Sequence, residues 1–170
     1  MFKAVGMSDT RFSEISDRIR ESCPNACVLY IDEVINESLL DSFNQLQQSR
    51  PFEIKQLFHG TSNDCIHSIA STGFDPTKNK TSAYGYGTYF AKNAGYSFNY
   101  MRSEQKNDIT YMFLADVLVG RLTTLKRKSL NDQYDWDNNV DNITNPTIYT
   151  TPYHYGAYPK YTIAFHKNAR

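Results

Sequence analysis

Four short segments after residue 56 carry side chains that can bind a planar ligand bearing hydroxyl groups. A histidine ring nitrogen can donate or accept a hydrogen bond, glycine allows close approach to the backbone, and a tyrosine ring offers a large apolar face with one polar tip. Singly, each segment is a weak signal, because a His-Gly-Thr triplet is often only a turn and Gly-x-Gly lacks the third glycine of a dinucleotide-binding fingerprint. The segments are LFHGT at 57–61, GYGTYFA at 85–91, AGYSFNY at 94–100, and NPTIY at 145–149 ahead of YPKYTIAF at 158–165.

The spacing of apolar residues predicts the elements that must position these segments. Helices are predicted over 8–22 (with Ser8 or Asp9 as cap), 36–48, 63–72 and 93–102. Strands are predicted over 28–31, 88–91, 110–120, 147–150 and 161–165. The near-continuous apolar run at 110–120 indicates burial on both faces, and the polar stretches at 75–87 and 126–145 are predicted loops. Helices dominate early and strands later, which favours the α+β class.

Two further predictions concern particular side chains. The second helix is expected to bury an apolar stripe of Leu39, Leu40, Phe43 and Leu46. The short basic run Lys126-Arg127-Lys128 is expected to be a solvated loop.

Composition narrows the classes of protein to which this chain can belong. A length of 170 residues favours one domain, and 18 basic against 18 acidic residues give no net charge. Strong binding to nucleic acid is therefore not expected. No apolar run is long enough for a transmembrane helix, and the N-terminus lacks the apolar core of a signal peptide. We expect an intracellular protein of the cytoplasm, the nucleus or both, without membrane association.

Three cysteines are an odd, small number, which argues against a disulfide framework and suits a reducing compartment. A zinc site could be drawn from Cys23, Cys27, Cys65 and His67, but the spacing is poor and Pro24 interrupts the first pair. We expect no metal. A Cys65–His67 hydrolase is also disfavoured, because residues two apart on a helix point to different faces.

Taken together and in order, the four segments resemble the catalytic domain of the poly(ADP-ribose) polymerase family, closest to its mono-ADP-ribosylating branch. The resemblance runs from about Glu53 to the C-terminus and more loosely over the first 50 residues. It implies the ADP-ribosyltransferase fold, with central antiparallel-rich split β-sheets flanked by short helices. It also implies one catalytic domain over 1–170, with N-terminal elements at 1–50 and an NAD-binding core at 51–170.

The resemblance implies a role for each site residue toward NAD⁺, the expected co-substrate. His59 and Tyr89 correspond to the first two members of the family's His-Tyr-Glu triad, and His59 would hydrogen-bond a ribose hydroxyl of the adenosine half. Gly60 would bind the nicotinamide carboxamide through its backbone, and Ser97 through its hydroxyl. The remaining donor-binding positions are Thr61 at the adenosine ribose, Tyr100 stacked on nicotinamide with Tyr96 as a competitor, Ala91 in the strand, and Tyr84 or Tyr86 in the loop.

The third triad position is where the chain departs from polymer-forming members, which have glutamate where this chain has Ile148. Asp137 and Asp141, in the preceding polar stretch, are poor substitutes. Without a carboxylate, a neutral sugar hydroxyl is a poor nucleophile, whereas an acceptor carboxylate is already ionised at neutral pH. The resemblance therefore implies transfer of one ADP-ribose unit to a protein acceptor, at Asp or Glu side chains that could include the enzyme's own.

Two alternatives stay open at the level of the sequence. One is a catalytically weak or inactive module that binds NAD⁺ or ADP-ribose. The other keeps the chemistry and places the ADP-ribose on a nucleic-acid end, which needs only a few basic contacts.

Overall fold

A computed structural model describes residues 1–79, 83–101, 109–131 and 133–166, and it has an α+β fold. The helices are α1 (Thr10–Arg20), α2 (Glu37–Ser49), α3 (Ile66–Thr72) and α4 (Ala94–Phe98), with short 3-10 turns at Asn63–Cys65 and Pro76–Lys78. The strands are β1 (Phe2–Val5), β2 (Val28–Val34), β3 (Glu53–Gly60), β4 (Thr88–Ala91), β5 (Ile109–Val119), β6 (Leu122–Thr123), β7 (Asn138–Val140), β8 (Ile148–Thr151) and β9 (Ala157–His166).

The described strands form one mixed sheet in the order β1-β2-β9-β5-β3-β4-β8-β7-β6. Every neighbouring pair is antiparallel except β6 with β7. Strands β3 and β4 pair only through Phe58 and Ala91, whereas β3 and β5 pair along the whole length of β3. The predicted split is thus a place where one residue pair joins two well-paired halves of the sheet.

Helices cover both faces of the larger half, so its inner strand β5 is buried almost throughout, as its apolar run predicts. Ile15 and Ile19 of α1 pack on one face, in the cluster that contains Phe58 and Phe165. On the other face, α3 belongs to a cluster in which the Phe74 ring contacts the rings of Phe90 and Phe113. The helices are short because each only has to cover part of a sheet face.

Helix boundaries follow the capping residues. Asp9 caps α1, accepting a hydrogen bond from the Arg11 N–H. Asn36 caps α2 through Leu39 N–H and also donates its side-chain amide to the carbonyls of Ala70 and Ser71, which ties α2 to α3. The observed ranges of both helices are therefore close to the predicted ones, although α1 is shorter at both ends than the predicted 8–22.

Several predictions from the sequence were wrong. Leu40 was expected in the buried stripe of α2 but is 38% exposed. The helix packs through Leu39 and Phe43, so the Leu40 side chain lies on the solvent side. The predicted helix at 93–102 is only Ala94–Phe98, and Arg102 lies outside the described residues. Strands β1, β3, β6 and β7 were missed. Three of them are short and β7 is also polar, whereas β3 mixes polar and apolar residues without strict alternation.

The stretch 126–145 was predicted as loop, yet much of it is built into the fold. Asn138 of β7 accepts from Gly120 N–H and donates to the carbonyls of Leu118 and Thr150, so its side chain replaces missing backbone bonds. Arg127, expected to be solvated, is 5% exposed, with its guanidinium 4.4 Å from the Tyr134 ring centroid. Burial of these polar groups depends on partners distant in sequence, which local composition does not reveal.

Within the described ranges, no helix has the length and apolar character required to cross a membrane. The intracellular location stays a prediction.

Candidate active site

A cleft of about 70 Å³ opens where β3 and β4 separate. Beyond the Phe58–Ala91 pair, the next positions of an antiparallel ladder would be His59 with Phe90 and Gly60 with Tyr89, and the strands diverge there. The cleft takes its walls from the end of β3, from β4, from α4 and from the loop before β4. The described residues that line it are His59, Gly60, Asn79, Tyr89, Phe90, Ala91, Tyr96, Ser97 and Tyr100.

The His59 ring spans the gap between the separating strands. Its Nδ1 lies 2.7 Å from the Tyr89 carbonyl oxygen, and because a carbonyl can only accept, Nδ1 carries the proton. The ring also packs against Phe74 and Phe90, with centroids 5.0 and 5.4 Å away. Burial lowers the pKa of His59 below its usual value of 6.5, outweighing the bond to Tyr89. The ring is therefore neutral at pH 7, and its Nε2 is free to accept a hydrogen bond from a hydroxyl.

Gly60 lies against α4 so closely that no other residue fits. A Cβ atom at this position would lie 1.9 Å from the Ser97 carbonyl oxygen, far inside van der Waals contact. The Ser97 side chain is buried at the same cleft. The absence of a side chain thus brings the end of β3 and helix α4 together and keeps the backbone at the cleft wall uncovered.

Tyr89 holds the loop before β4 in place through its hydroxyl. The hydroxyl donates to the Gly85 carbonyl at 2.7 Å and accepts from the Tyr84 N–H at 2.9 Å. Burial raises the pKa of Tyr89, so the phenol stays protonated at neutral pH. Tyr84 lies with its ring centroid 6.4 Å from that of Tyr89 but is not among the described residues lining the cleft.

A second support of the same loop comes from the basic run at 126–128. Gly85 has φ of 103°, and a Cβ there would lie 2.5 Å from the Arg127 backbone nitrogen. The Arg127 carbonyl accepts from Tyr86 N–H at 3.0 Å, and Asn79 donates its amide to the Gly87 carbonyl. The loop is therefore anchored on both sides of residues 80–82, which lie outside the described ranges.

Tyr96 and Tyr100, which the sequence left as competitors, lie together at the cleft. Their hydroxyl oxygens are 3.0 Å apart, and their ring centroids are 5.4 Å apart with an angle of 43° between the planes. Burial raises the pKa of Tyr96. With Tyr89, these rings give the cleft aromatic walls of the kind that hold a planar ligand.

Ile148 lies on β8 directly beside Ala91, so the two side chains share one face of the sheet. The residue is 3% exposed and is not among the described lining residues. Its N–H donates to Asp141 Oδ1 at 2.9 Å, as does that of Thr147. Burial raises the pKa of Asp141, but these hydrogen bonds outweigh burial and leave it lowered. Asp141 therefore supports the backbone ahead of β8, and no described carboxylate lines the cleft.

Sequence reasoning placed most of the cleft residues but not all of them. Asn79 and Phe90 were missed, since an asparagine in a loop and a phenylalanine in a strand carry no motif. Thr61, predicted at the adenosine ribose, is half-buried and is not among the described residues that line the cleft. The part of the ligand site that Thr61 would serve stays a prediction.

The cysteines considered for zinc are free thiols, with Cys27 and Cys65 exposed. Across the described part of the chain, no group of three or more histidine, cysteine or acidic residues has an arrangement that could hold a metal ion.

Comparison with known proteins identifies the family. The model of the poly(ADP-ribose) polymerase catalytic domain matches residues 12–144. The protein mono-ADP-ribosyltransferase PARP14 of Homo sapiens is 30% identical over 94% of this chain and 10% of its own length. PARP12 of Mus musculus, also named a protein mono-ADP-ribosyltransferase, is 27% identical over 99% of the chain and 26% of its own length. A probable poly [ADP-ribose] polymerase of Dictyostelium discoideum is 28% identical over 95% of the chain and 51% of its own length.

The chain thus spans between a tenth and about half of these relatives. The family match extends over α1 to β7 and includes the histidine, glycine, serine and tyrosines that meet at the β3–β4 split. This chain belongs to the poly(ADP-ribose) polymerase catalytic domain family.

Proposed function

We propose that this chain transfers a single ADP-ribose unit from NAD⁺ to a carboxylate of a protein and releases nicotinamide. The observation that carries the proposal is the composition of the cleft. It combines a neutral histidine, an uncovered glycine backbone and three tyrosine rings, and none of its described residues bears a carboxylate.

Each cleft residue has a part in holding the donor. His59 Nε2 would accept a hydrogen bond from an adenosine ribose hydroxyl, while the Gly60 backbone and the Ser97 hydroxyl would hold the carboxamide. The rings of Tyr89 and Tyr100 would enclose nicotinamide, and Ala91 leaves room beside them. This fixed orientation supports cleavage by holding the reacting bond in a productive geometry.

The chemical step needs no general base from the protein when the acceptor is a carboxylate. The bond between ribose C1′ and the nicotinamide nitrogen breaks, and its electron pair leaves with nicotinamide as a neutral molecule. A carboxylate oxygen of the acceptor forms the new bond to C1′ through an oxocarbenium-like state. A sugar hydroxyl would have to lose a proton at this stage, and Ile148 cannot accept it, which favours one unit over a chain.

Intact-mass spectrometry after incubation with NAD⁺ tests the proposal. We expect mass gains of single ADP-ribose units on the protein or on an added acceptor protein. The gains should vanish in His59→Ala and persist in His166→Ala, a matched change at an exposed histidine. Release of the adduct by neutral hydroxylamine would support ester linkage to Asp or Glu.

The alternatives give different results in the same assay. Binding of NAD⁺ by calorimetry without any mass gain would identify a binding module instead. Label from NAD⁺ that survives protease but not nuclease would place the ADP-ribose on nucleic acid and overturn the protein acceptor.

A further inference from the structure

A second, larger cavity of about 360 Å³ lies between the start of α3 and the β1, β2, β9 and β5 strands. Its described lining shares no residue with the cleft at the β3–β4 split. No step of the transfer proposed above uses it.

Aromatic rings form much of the wall of this second cavity. Phe2 comes from β1, Tyr30 from β2 and Tyr111 from β5. The hydroxyls of Tyr30 and Tyr111 are hydrogen-bonded to each other, and the ring centroids are 6.1 Å apart. Because the two rings are tied at their polar tips, their orientation is fixed. The π-face of an aromatic ring is electronegative and attracts a cation.

The acidic groups of the cavity lack cationic partners. Asp32 lies on β2 beside Tyr30, and Asp64 lies in the 3-10 turn before α3. Among the described residues, neither carboxylate has an ion-pair or hydrogen-bond partner, and His67, which pairs with neither, is the one basic side chain in the lining. Burial raises the pKa of Asp32.

Asn63 adds a further unsatisfied acceptor to the cavity wall. Its side-chain Nδ2 donates to the Ile109 carbonyl at 2.9 Å, which fixes the orientation of the amide. The Oδ1 atom is buried and has no hydrogen-bond partner within the described part of the structure. Carboxylate and amide oxygens can only accept hydrogen bonds, so these groups would be satisfied by a ligand that donates hydrogen bonds.

We propose that this cavity binds an organic cation that carries N–H donors, namely a primary ammonium or guanidinium group on an aliphatic stem. The stem would lie against the aromatic walls, and the charged head would pair with Asp32 and Asp64. A metal ion fits less well, since no described group of three ligating side chains exists here. The same chemistry is offered by a free amine and by a lysine or arginine side chain of another protein.

Titration of n-butylammonium chloride at constant ionic strength, followed by amide NMR shifts, tests this proposal. We expect saturable shifts at residues around the cavity. Binding of the neutral analogue 1-butanol should be weaker by about tenfold or more, because the ligand then lacks its positive charge. Binding of n-butylammonium to Asp32→Asn should be weaker by a similar factor, because the protein then lacks the negative charge that pairs with it. Asp41→Asn, a matched change at an exposed aspartate of α2, should bind n-butylammonium like the unchanged protein.

A peptide arm then separates the two sources of the cation. If N-acetyl-Gly-Lys-Gly-amide competes with n-butylammonium, a basic side chain can occupy the cavity. If only the free amine binds, the ligand is a small molecule. The proposal is overturned if n-butylammonium gives no saturable shifts, if 1-butanol binds equally well, or if a folded Asp32→Asn protein binds the cation without loss. Because these readouts do not involve NAD⁺, failure here is distinguishable from failure of the proposed transfer.

Discussion

At the scale of the residue, the cleft depends on side chains whose protonation and orientation are fixed by one or two neighbours. The Tyr89 carbonyl determines which nitrogen of His59 carries the proton, and the Tyr89 hydroxyl holds the loop before β4. Tyr89 therefore serves the site through both its backbone and its side chain. Two predictions follow from these contacts.

The first residue-scale prediction concerns the titration of His59. Because burial depresses its pKa, His59 should stay neutral to a pH below its usual value of 6.5. The stability that neutral His59 contributes is fully present at pH values above its pKa in the unfolded state, which is about 6.5. As the pH falls below that value, the unfolded state takes up a proton first, so the free energy of unfolding should decrease until the folded-state pKa is reached.

NMR of the imidazole resonances tests this expectation directly. One resonance should titrate below pH 6.5 and be missing in His59→Gln. A His59 resonance that titrates at or above 6.5 would contradict the lowered pKa.

The second residue-scale prediction compares two tyrosine hydroxyls. Tyr89→Phe removes both hydrogen bonds to the loop, and it should lower NAD⁺ affinity by about tenfold and stability by about 1–2 kcal/mol. Tyr89→Ala removes the ring as well and should abolish donor binding. Tyr155→Phe, at a ring that is 41% exposed, is the matched control and should leave both properties unchanged. Calorimetry and denaturant unfolding measure the two effects, and near-normal NAD⁺ affinity in Tyr89→Ala would disprove the site assignment.

At the scale of the element, the cleft lies where the end of β3 packs against α4 and no longer pairs with β4. Helix α4 has only five residues and cannot hold its position through its own hydrogen bonds. Its position depends on the contact of Ser97 with Gly60 and on the bond from Gly95 N–H to the Ser22 hydroxyl.

A pair of glycine substitutions tests this dependence. In Gly60→Ala the new methyl group would collide with the Ser97 carbonyl, so β3 or α4 must shift. We expect a loss of about 1–3 kcal/mol in unfolding free energy and loss of NAD⁺ binding. Gly6→Ala is the matched control, because a methyl group there would lie 4.0 Å from Ser8 Oγ and should change stability by less than about 0.5 kcal/mol. If Gly60→Ala binds NAD⁺ normally, the contact does not shape the site.

At the scale of the whole molecule, the position of Ile148 links the sheet to the outcome of the reaction. Strand β8 places Ile148 beside Ala91, and Asp141 fixes the approach to that strand from the previous turn. The side chain is buried in a sheet that extends across both halves of the molecule. A charge introduced there therefore affects both chemistry and stability.

Ile148→Glu should raise NAD⁺ hydrolysis or permit short chains if this position is the third of the triad. Burial will raise the pKa of the introduced carboxyl above its unfolded-state pKa of about 4.3. The free energy of unfolding should therefore decrease as the pH rises above about 4.3, until the folded-state pKa is reached. An unpaired buried charge costs about 3 kcal/mol. Ile148→Leu keeps the volume and should cost less than about 1.5 kcal/mol.

Product analysis and thermal melting at pH 4.5 and pH 8 measure these effects. A folded Ile148→Glu protein with unchanged products would show that Ile148 does not occupy the third triad position.

Some features of this protein are determined by the sequence alone, because they are local. The apolar run of β5, the caps of α1 and α2, and the ordered segments around His59, Gly60, Tyr89 and Ser97 each depend on residues near one another in the chain. These were enough to predict the α+β class, the family and most of the residues that meet at the cleft.

Other features were decided only by contacts between distant parts of the chain. Arg127 is buried because Tyr134 and the loop before β4 close around it, and the Asn138 side chain on β7 donates to carbonyls of β5 and β8. The cleft itself arises where pairing of β3 with β4 stops after one residue pair. Such pairing reflects competition among all the strands for backbone partners, and so no local pattern predicts it.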